Sequence, residues 1–227
     1  MLRSVPCCES NAQTAAAAGI QTVRRPGTGR RGAPIDWAGV LRAGYGFAVI
    51  KATDGSTGQD LQFQANVQGA LNAGLTVAAY HFLRPGTHAA DQAANFLRQI
   101  EDAGGPQVFA LGAAVDVEDP SDEEGAWNAL DQATRADKVL NWIAAVQAAF
   151  PSPMIYCIPH WFGQVISADA CFAAYPLWAA SPSGPPKLAG SPWQEYTLWQ
   201  YSFTGSVDGI GSGSVDLDRP RGDLVAS

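Results

Sequence analysis

Methionine, histidine and cysteine are scarce in this chain, with two, three and four copies in 227 residues. The cysteines (Cys7, Cys8, Cys157, Cys171) include no C-x-x-C pair, and the histidines (His81, His88, His160) are scattered. That pattern excludes the usual zinc modules, and no metal site is expected. Cys157 and Cys171 can be bridged only if the fold brings them together; free thiols are the default expectation. No apolar run approaches the ~20 residues of a membrane span. "TAAAAG" from Thr14 is too short and too weakly apolar for a signal-peptide core, and Cys7 follows no hydrophobic stretch, so neither a standard export signal nor a lipid anchor is expected. There is no G-x-G-x-x-G, no P-loop and no G-x-S-x-G, which removes the commonest dinucleotide, nucleotide and serine-hydrolase readings. The net charge of −7 argues against a general nucleic-acid binder. "GSGSVDLD" from Gly211 lacks the ligand spacing of a calcium loop, and "RGD" at Arg221 is a three-residue chance match.

What is present is an alternation. "FAVIKAT" from Phe47 is a short β-rich run, and "FQANVQGALNAG" from Phe63 follows with helical spacing and a glycine stop. "LTVAAYHF" from Leu75 predicts a strand, and "HAADQAANFLRQIEDAGG" from His88 a helix with Ala93, Phe96, Leu97 and Ile100 on one side. The apolar run "VFALGAAVDVE" from Val108 comes next, then a long helix from Ala133 to Phe150. Later strands are "PMIYCI" from Pro153, "YPLWAA" from Tyr175 and "YTLWQYS" from Tyr196. Strand–helix alternation implies parallel pairing with helices covering the sheet. The thinning of helices in the second half points to an α/β fold, an irregular (β/α) TIM-like barrel in one domain over residues 19–222. Residues 1–18 are expected to form a poorly ordered leader and 223–227 a tail. "SPSGPPKLAGSP" from Ser181 is a surface loop.

The run from Val108 ends in acids. Asp116 and Glu118 are separated only by Val117, and residues two apart on a strand share a face. On an extended strand their Cα atoms lie roughly 6.5 Å apart. In barrels of this type, chemistry sits at the C-terminal ends of strands. Two close carboxylates repel, so one holds its proton near neutral pH. An acid beside a base is what cleavage of a glycosidic bond requires. The plain alternative is a strand that ends in solvent with hydrated acids. Tyr80, Tyr156, Trp178, Trp199 and Tyr201 fall near predicted strand ends, where aromatic faces suit sugar rings or simply fill a core. Trp37, Trp127 and Trp142 read as core.

These motifs, taken in order, resemble glycoside hydrolase family 25, lysozymes that cut the glycan strands of peptidoglycan. The stretches are "IDW" at Ile35, "FAVIKATDG" at Phe47, "NAGLTVAAYHFLRP" at Asn72, "DQAANF" at Asp91, "VDVED" at Val115, "MIYC" at Met154, "YPLWAA" at Tyr175 and "WQYSFTGSVDGIGSGSVDLD" at Trp199. The resemblance implies Glu118 as general acid and Asp116 as the carboxylate that supports the substrate's 2-acetamido group. It implies Asp216 as a further cleft acid, Tyr80, Tyr156 and Trp199 as cleft aromatics, and Lys51 and His81 near the same strand ends. It also implies no cofactor, peptidoglycan as the partner, a monomer, and action at the cell wall, outside the cell or after phage-type release. One departure stands out. The family opens its first strand with G-(I/F)-D-V-S, whereas this chain has "GIQTV" from Gly19, with Gln21 in the aspartate's place, followed by the basic stretch Arg24 to Pro34. Glutamine keeps hydrogen-bonding shape but loses the charge. Two further readings therefore accompany the muramidase reading. One is a peptidoglycan-binding protein with impaired catalysis. The other is a chitin hydrolase, disfavoured because Gly112, Ala114 and Val115 stand where acids would precede the glutamate.

Overall fold

The computed structural model describes residues 19–22, 34–120, 123–211 and 215–222. Residues 1–18, most of the basic stretch after Thr22 and residues 223–227 lie outside the described residues.

Among the described residues nine strands form one sheet. They are β1 (Gly19–Thr22), β2 (Phe47–Asp54), β3 (Gly58–Gln59), β4 (Thr76–Phe82), β5 (Ala113–Asp116), β6 (Met154–Cys157), β7 (Leu177–Ala180), β8 (Leu198–Gly205) and β9 (Val215–Pro220). Their order is β1-β9-β8-β7-β6-β5-β4-β2-β3, and β1 also pairs with β2. Eight strands thus close on themselves, with β3 a short antiparallel appendage on β2. All ring neighbours pair in parallel except around β9, which runs antiparallel to both β8 and β1. The α/β barrel expected from the alternation is the fold.

The helices form for local reasons legible in the chain. In α2 (Phe63–Ala73), Phe63, Val67 and Ala70 face the barrel, and Gly74 closes the helix at φ 91°, a conformation that favours glycine. In α3 (Ala89–Asp102) the inward stripe is Ala89, Ala93, Phe96 and Ile100. In α4 (Gln132–Val146), Asp131 caps the first turn by accepting from the Thr134 N–H at 2.9 Å. Its buried residues Val139, Trp142, Ile143 and Val146 follow the helical repeat. Two shorter helices are α1 (Trp37–Arg42) and α5 (Pro159–Val165).

Period-two alternation divides strands β2, β4, β5, β6 and β7 between two cores. The outer core packs strand residues such as Ala48, Ile50, Ala79, Val115, Ile155 and Ala179 against the helices. The inner core fills the barrel with Phe47, Val49, Ala78, Tyr80, Ala114, Met154, Tyr156, Trp178, Ala180 and Leu198. Barrel interiors of this size are filled by side chains rather than left open.

The run from Val108 is less of a strand than its composition predicts. Pro106–Val108 is a 3-10 turn, and Gly112 at φ 74° ends the irregular segment before β5 starts at Ala113. Burial of an apolar run does not need ladder pairing, and a positive-φ glycine interrupts it. Cys157 is buried and Cys171 exposed, both as free thiols.

Candidate active site

Seven parallel strands direct their C-terminal ends to one rim, and antiparallel β9 brings its N-terminal end to the same place. Asp116 is the last residue of β5, in register with Phe82 on β4 and Tyr156 on β6. It is 4% exposed and faces the barrel interior. Val117 turns outward into the helix-side core. Glu118 follows, close enough that its charge raises the Asp116 carboxyl.

The backbone around the pair is pinned. The Asp116 carbonyl accepts from Leu83 N–H at 3.0 Å, and Val117 N–H donates to the Tyr156 carbonyl at 2.9 Å. The indole N–H of fully buried Trp127 donates to the Glu118 carbonyl at 2.9 Å. Both Asp119 carboxylate oxygens accept from Gly125 N–H, bending the following loop. Trp127 is core, as its sequence context predicts, and it fixes where Glu118 leaves the strand.

Both acids are pushed above the ordinary carboxylate range. For Asp116 the causes are burial first, then the Glu118 charge, with Lys51 opposing. For Glu118 burial again leads, Lys51 opposes, and Asp216 adds to the rise. One Asp116 oxygen, Oδ1, is buried with no hydrogen-bond partner among the described residues. An unsatisfied buried carboxyl oxygen is costly unless the group is protonated or a ligand completes it.

The opposite wall carries a second acid pair on β9. Asp216 Oδ2 accepts from Gln200 Nε2 at 3.3 Å, and Gln200 Oε1 accepts from the Tyr156 hydroxyl at 2.7 Å. Asp218 is fully buried, and its Oδ1 accepts from Trp178 Nε1 at 2.7 Å. Burial drives its carboxyl well up, with the Trp178 hydrogen bond opposing. Trp178 stands between two tyrosines, edge-on to Tyr156 at 4.7 Å and to Tyr80 at 6.2 Å between ring centres. Lys51 brings a cation to the site, and its Nζ donates to Asp54 Oδ2 at 3.0 Å.

Six of the eight predicted site residues therefore meet at the rim or in the inner core beneath it: Asp116, Glu118, Asp216, Tyr80, Tyr156 and Lys51. Two do not. His81 is fully buried on the helix side, stacked on Trp142 at 5.4 Å and held by Thr53 Oγ1 at 2.7 Å and Gln92 Oε1 at 3.1 Å. The β2–β4 register slips between Lys51 and Thr53, and His81 pairs across from Thr53 rather than from a cleft residue. Trp199 also points outward. Its neighbours Leu198 and Gln200 face the interior, so alternation turns it away. Its N–H donates to the Ser181 carbonyl at 2.9 Å, and the Arg219 guanidinium covers its ring at 3.9 Å.

Gln200, Asp218, Asp54 and Arg84 belong to the site's surroundings and were not singled out from sequence. Period two from Leu198 and from Asp216 marks the first two, once β8 and β9 are recognised as strands. Gln21, on β1, pairs in register with Val49 and Asp216. Among the described residues no group of three or more His, Cys, Asp or Glu side chains is arranged to hold a metal ion.

Fold and site together define a closed α/β barrel with an acid cluster at its C-terminal rim. The chain belongs to glycosyl hydrolases family 25, whose model matches residues 32–210. Over 197 residues it is 31% identical to Lysozyme M1 of Streptomyces globisporus, an alignment covering 83% of this chain and 64% of that protein. The chain thus spans less than two thirds of that relative's length. It is 28% identical over 201 residues to the N,O-diacetylmuramidase of Arthroderma benhamiae, covering 82% and 80% of the two chains. The bacterial lysozyme structure from Streptomyces coelicolor superposes with a TM-score of 0.76 at 31% identity, over 92% of this chain and 94% of that one. β1 with Gln21 and β9 with Asp216 both lie outside the matched residues.

Proposed function

We propose that this protein is a lysozyme-type glycoside hydrolase that cleaves the β-1,4 bond between N-acetylmuramic acid and N-acetylglucosamine in peptidoglycan. The observation that carries the reading is the Asp116–Glu118 pair at the rim of a family 25 barrel, both carboxyls raised by burial and Asp116 further by the Glu118 charge.

Asp116, the more deeply buried, holds the pair's proton at rest. A substrate acetamido N–H favours the ionised form of Asp116 and leaves the proton on Glu118. Glu118 then protonates the leaving glycosidic oxygen as the acetamido oxygen attacks the anomeric carbon. Asp116 balances the charge that develops on the acetamido group. Water next opens the cyclic intermediate at the anomeric carbon, and Glu118 takes its proton back. Substrate assistance of this kind departs from the usual two-carboxylate separation rule. Tyr80 and Tyr156, packed with Trp178, form the floor beneath the acid pair, and Asp216 faces the glycan from β9. Carboxyl groups and water suffice for every step.

The test is a cell-wall digest with mass analysis of soluble fragments. Wild type should release muropeptides with new reducing ends at N-acetylmuramic acid, and Glu118→Gln should release none. Intact lysis by Glu118→Gln would sink the assignment.

A second reading is supported by Gln21, which sits in register with Asp216 where the family resemblance implies an aspartate. In it the protein binds peptidoglycan and cleaves it poorly. Sedimentation with insoluble walls without reducing-end release supports this reading, and Gln21→Asp should then restore cleavage.

A further inference from the structure

The proposed mechanism leaves Arg84 unused, yet it is only 15% exposed and sits beside the site. Its Nε donates to Asp54 Oδ1 at 2.6 Å and one terminal nitrogen donates to Oδ2 at 3.2 Å, a two-pronged grip. Asp54 Oδ2 is also the acceptor for Lys51. Both cations also lie over the Phe82 ring, Lys51 Nζ at 4.9 Å and the Arg84 guanidinium at 4.7 Å from its centre.

The Arg84 main chain is fixed from behind. The Gln92 side chain, fully buried on α3, accepts from Arg84 N–H and donates to the Arg84 carbonyl, each at 2.8 Å. It also holds the Thr87 carbonyl and His81. A continuous polar path therefore runs from α3 through Arg84 and Asp54 to Lys51, the cation that faces Asp116 and Glu118.

We propose that Arg84 is a positioning residue for the acid pair: by sharing Asp54 with Lys51, it directs the Lys51 charge onto Asp116 and Glu118 rather than letting Asp54 absorb it. The inference deepens the muramidase reading and rests on it for its catalytic meaning. The charges that bear directly on the pair are Lys51 and Asp54 from β2 and Asp216 from β9, and the buried Tyr156 and Cys157 of β6 feel the pair in turn, while Arg84 reaches it only through Asp54. Lys51 lowers both acids, while Asp54 and Asp216 raise Asp116.

The test is carbon-detected NMR titration of the Glu118 carboxyl in wild type, Arg84→Gln, Asp54→Asn and the double variant, with kcat/KM profiles against pH alongside. Arg84→Gln should move the Glu118 midpoint and the alkaline limb up by roughly half a pH unit or more, and Asp54→Asn should move both down. Arg84→Lys keeps the charge but not the two-pronged grip, so its shift should be smaller than that of Arg84→Gln. In the Asp54→Asn background Arg84→Gln should lose most of its effect. Shifts of the same sign, or an Arg84→Gln shift undiminished in that background, overturn the proposal. Carboxyl titration does not need turnover. A protein that shifts as stated but releases no fragments keeps this electrostatic path and loses the muramidase reading; one that releases fragments without shifts does the reverse.

Discussion

Two acid pairs with the same spacing line this barrel, and they are used in opposite order. On β5 the first acid, Asp116, is deep and the second, Glu118, stands at the rim. On β9 the first acid, Asp216, stands at the rim and the second, Asp218, is deep. The difference is strand direction: β5 arrives at the rim, and β9, antiparallel to its neighbours, departs from it. Depth then sets charge. The deep members are buried, carry raised carboxyls and each leave one oxygen without a partner among the described residues. The rim members keep part of their surface in solvent. The deep aspartates differ in turn, because Asp218 is fastened through its other oxygen to the Trp178 indole whereas Asp116 sits beside the Glu118 charge.

The largest effect that would break this comparison is loss of the rim acid on β5. Glu118→Gln should lower wall hydrolysis by about 10³-fold or more, measured as reducing-end release, with the fold unchanged by circular dichroism. Asp116→Asn should cost about 10²-fold in kcat, because it keeps the buried shape but cannot balance charge on the acetamido group. A loss confined to KM would contradict that role. On β9 the deep acid should matter for stability instead. Asp218→Ala should destabilise by about 1–3 kcal/mol in urea unfolding, since it orphans the Trp178 N–H, and Asp218→Asn by clearly less.

Protonation sharpens the contrast further. Asp116 and Asp218 have folded values above their unfolded ones, so the folded state binds more protons once pH passes about 3.9. Their stabilising contribution is full below that pH and is lost as pH rises toward the folded values. His81 acts in the other direction. Burial lowers its folded value to about 4, so its contribution is full above 6.5 and is lost as pH falls through that lower value. Asp218→Asn should therefore reduce the decline in thermal midpoint between about pH 4 and pH 7, and an unchanged slope would refute the assignment of a protonated Asp218. The smallest effect belongs to the outward aromatic. Trp199→Phe should lower stability by about 1 kcal/mol through the lost bond to the Ser181 carbonyl, and leave KM for wall fragments within about twofold.

The sequence pattern carried the parts of this molecule that depend on local periodicity. Helix stripes such as Val139, Trp142, Ile143 and Val146 follow from spacing alone, and so does the shared face of Asp116 and Glu118. Tyr80 and Tyr156 were legible as strand-end aromatics. His81 and Trp199 misled because strand ends were marked while the face was not. A one-residue step reverses the face of a strand side chain, and the slip between Lys51 and Thr53 is invisible in composition. Asp218 lies on β9, whose polar sequence VDLDRP lacks the apolar run that announces a buried strand, and Gln200 lies on β8, where a strand was legible but a polar residue on its inward face was not.

By itself the sequence determined that this chain alternates strands and helices, ends one strand in D-x-E, and carries the ordered motifs of one glycosidase family. These are properties of neighbours along the chain, where period and residue type are enough. Only the tertiary structure decided which acids are deep, which aromatics face the barrel interior, and that Arg84, Asp54 and Lys51 form one path. Those outcomes depend on strand direction, register and closure of the ring, which bring together residues dozens of positions apart and set how much water each charge keeps.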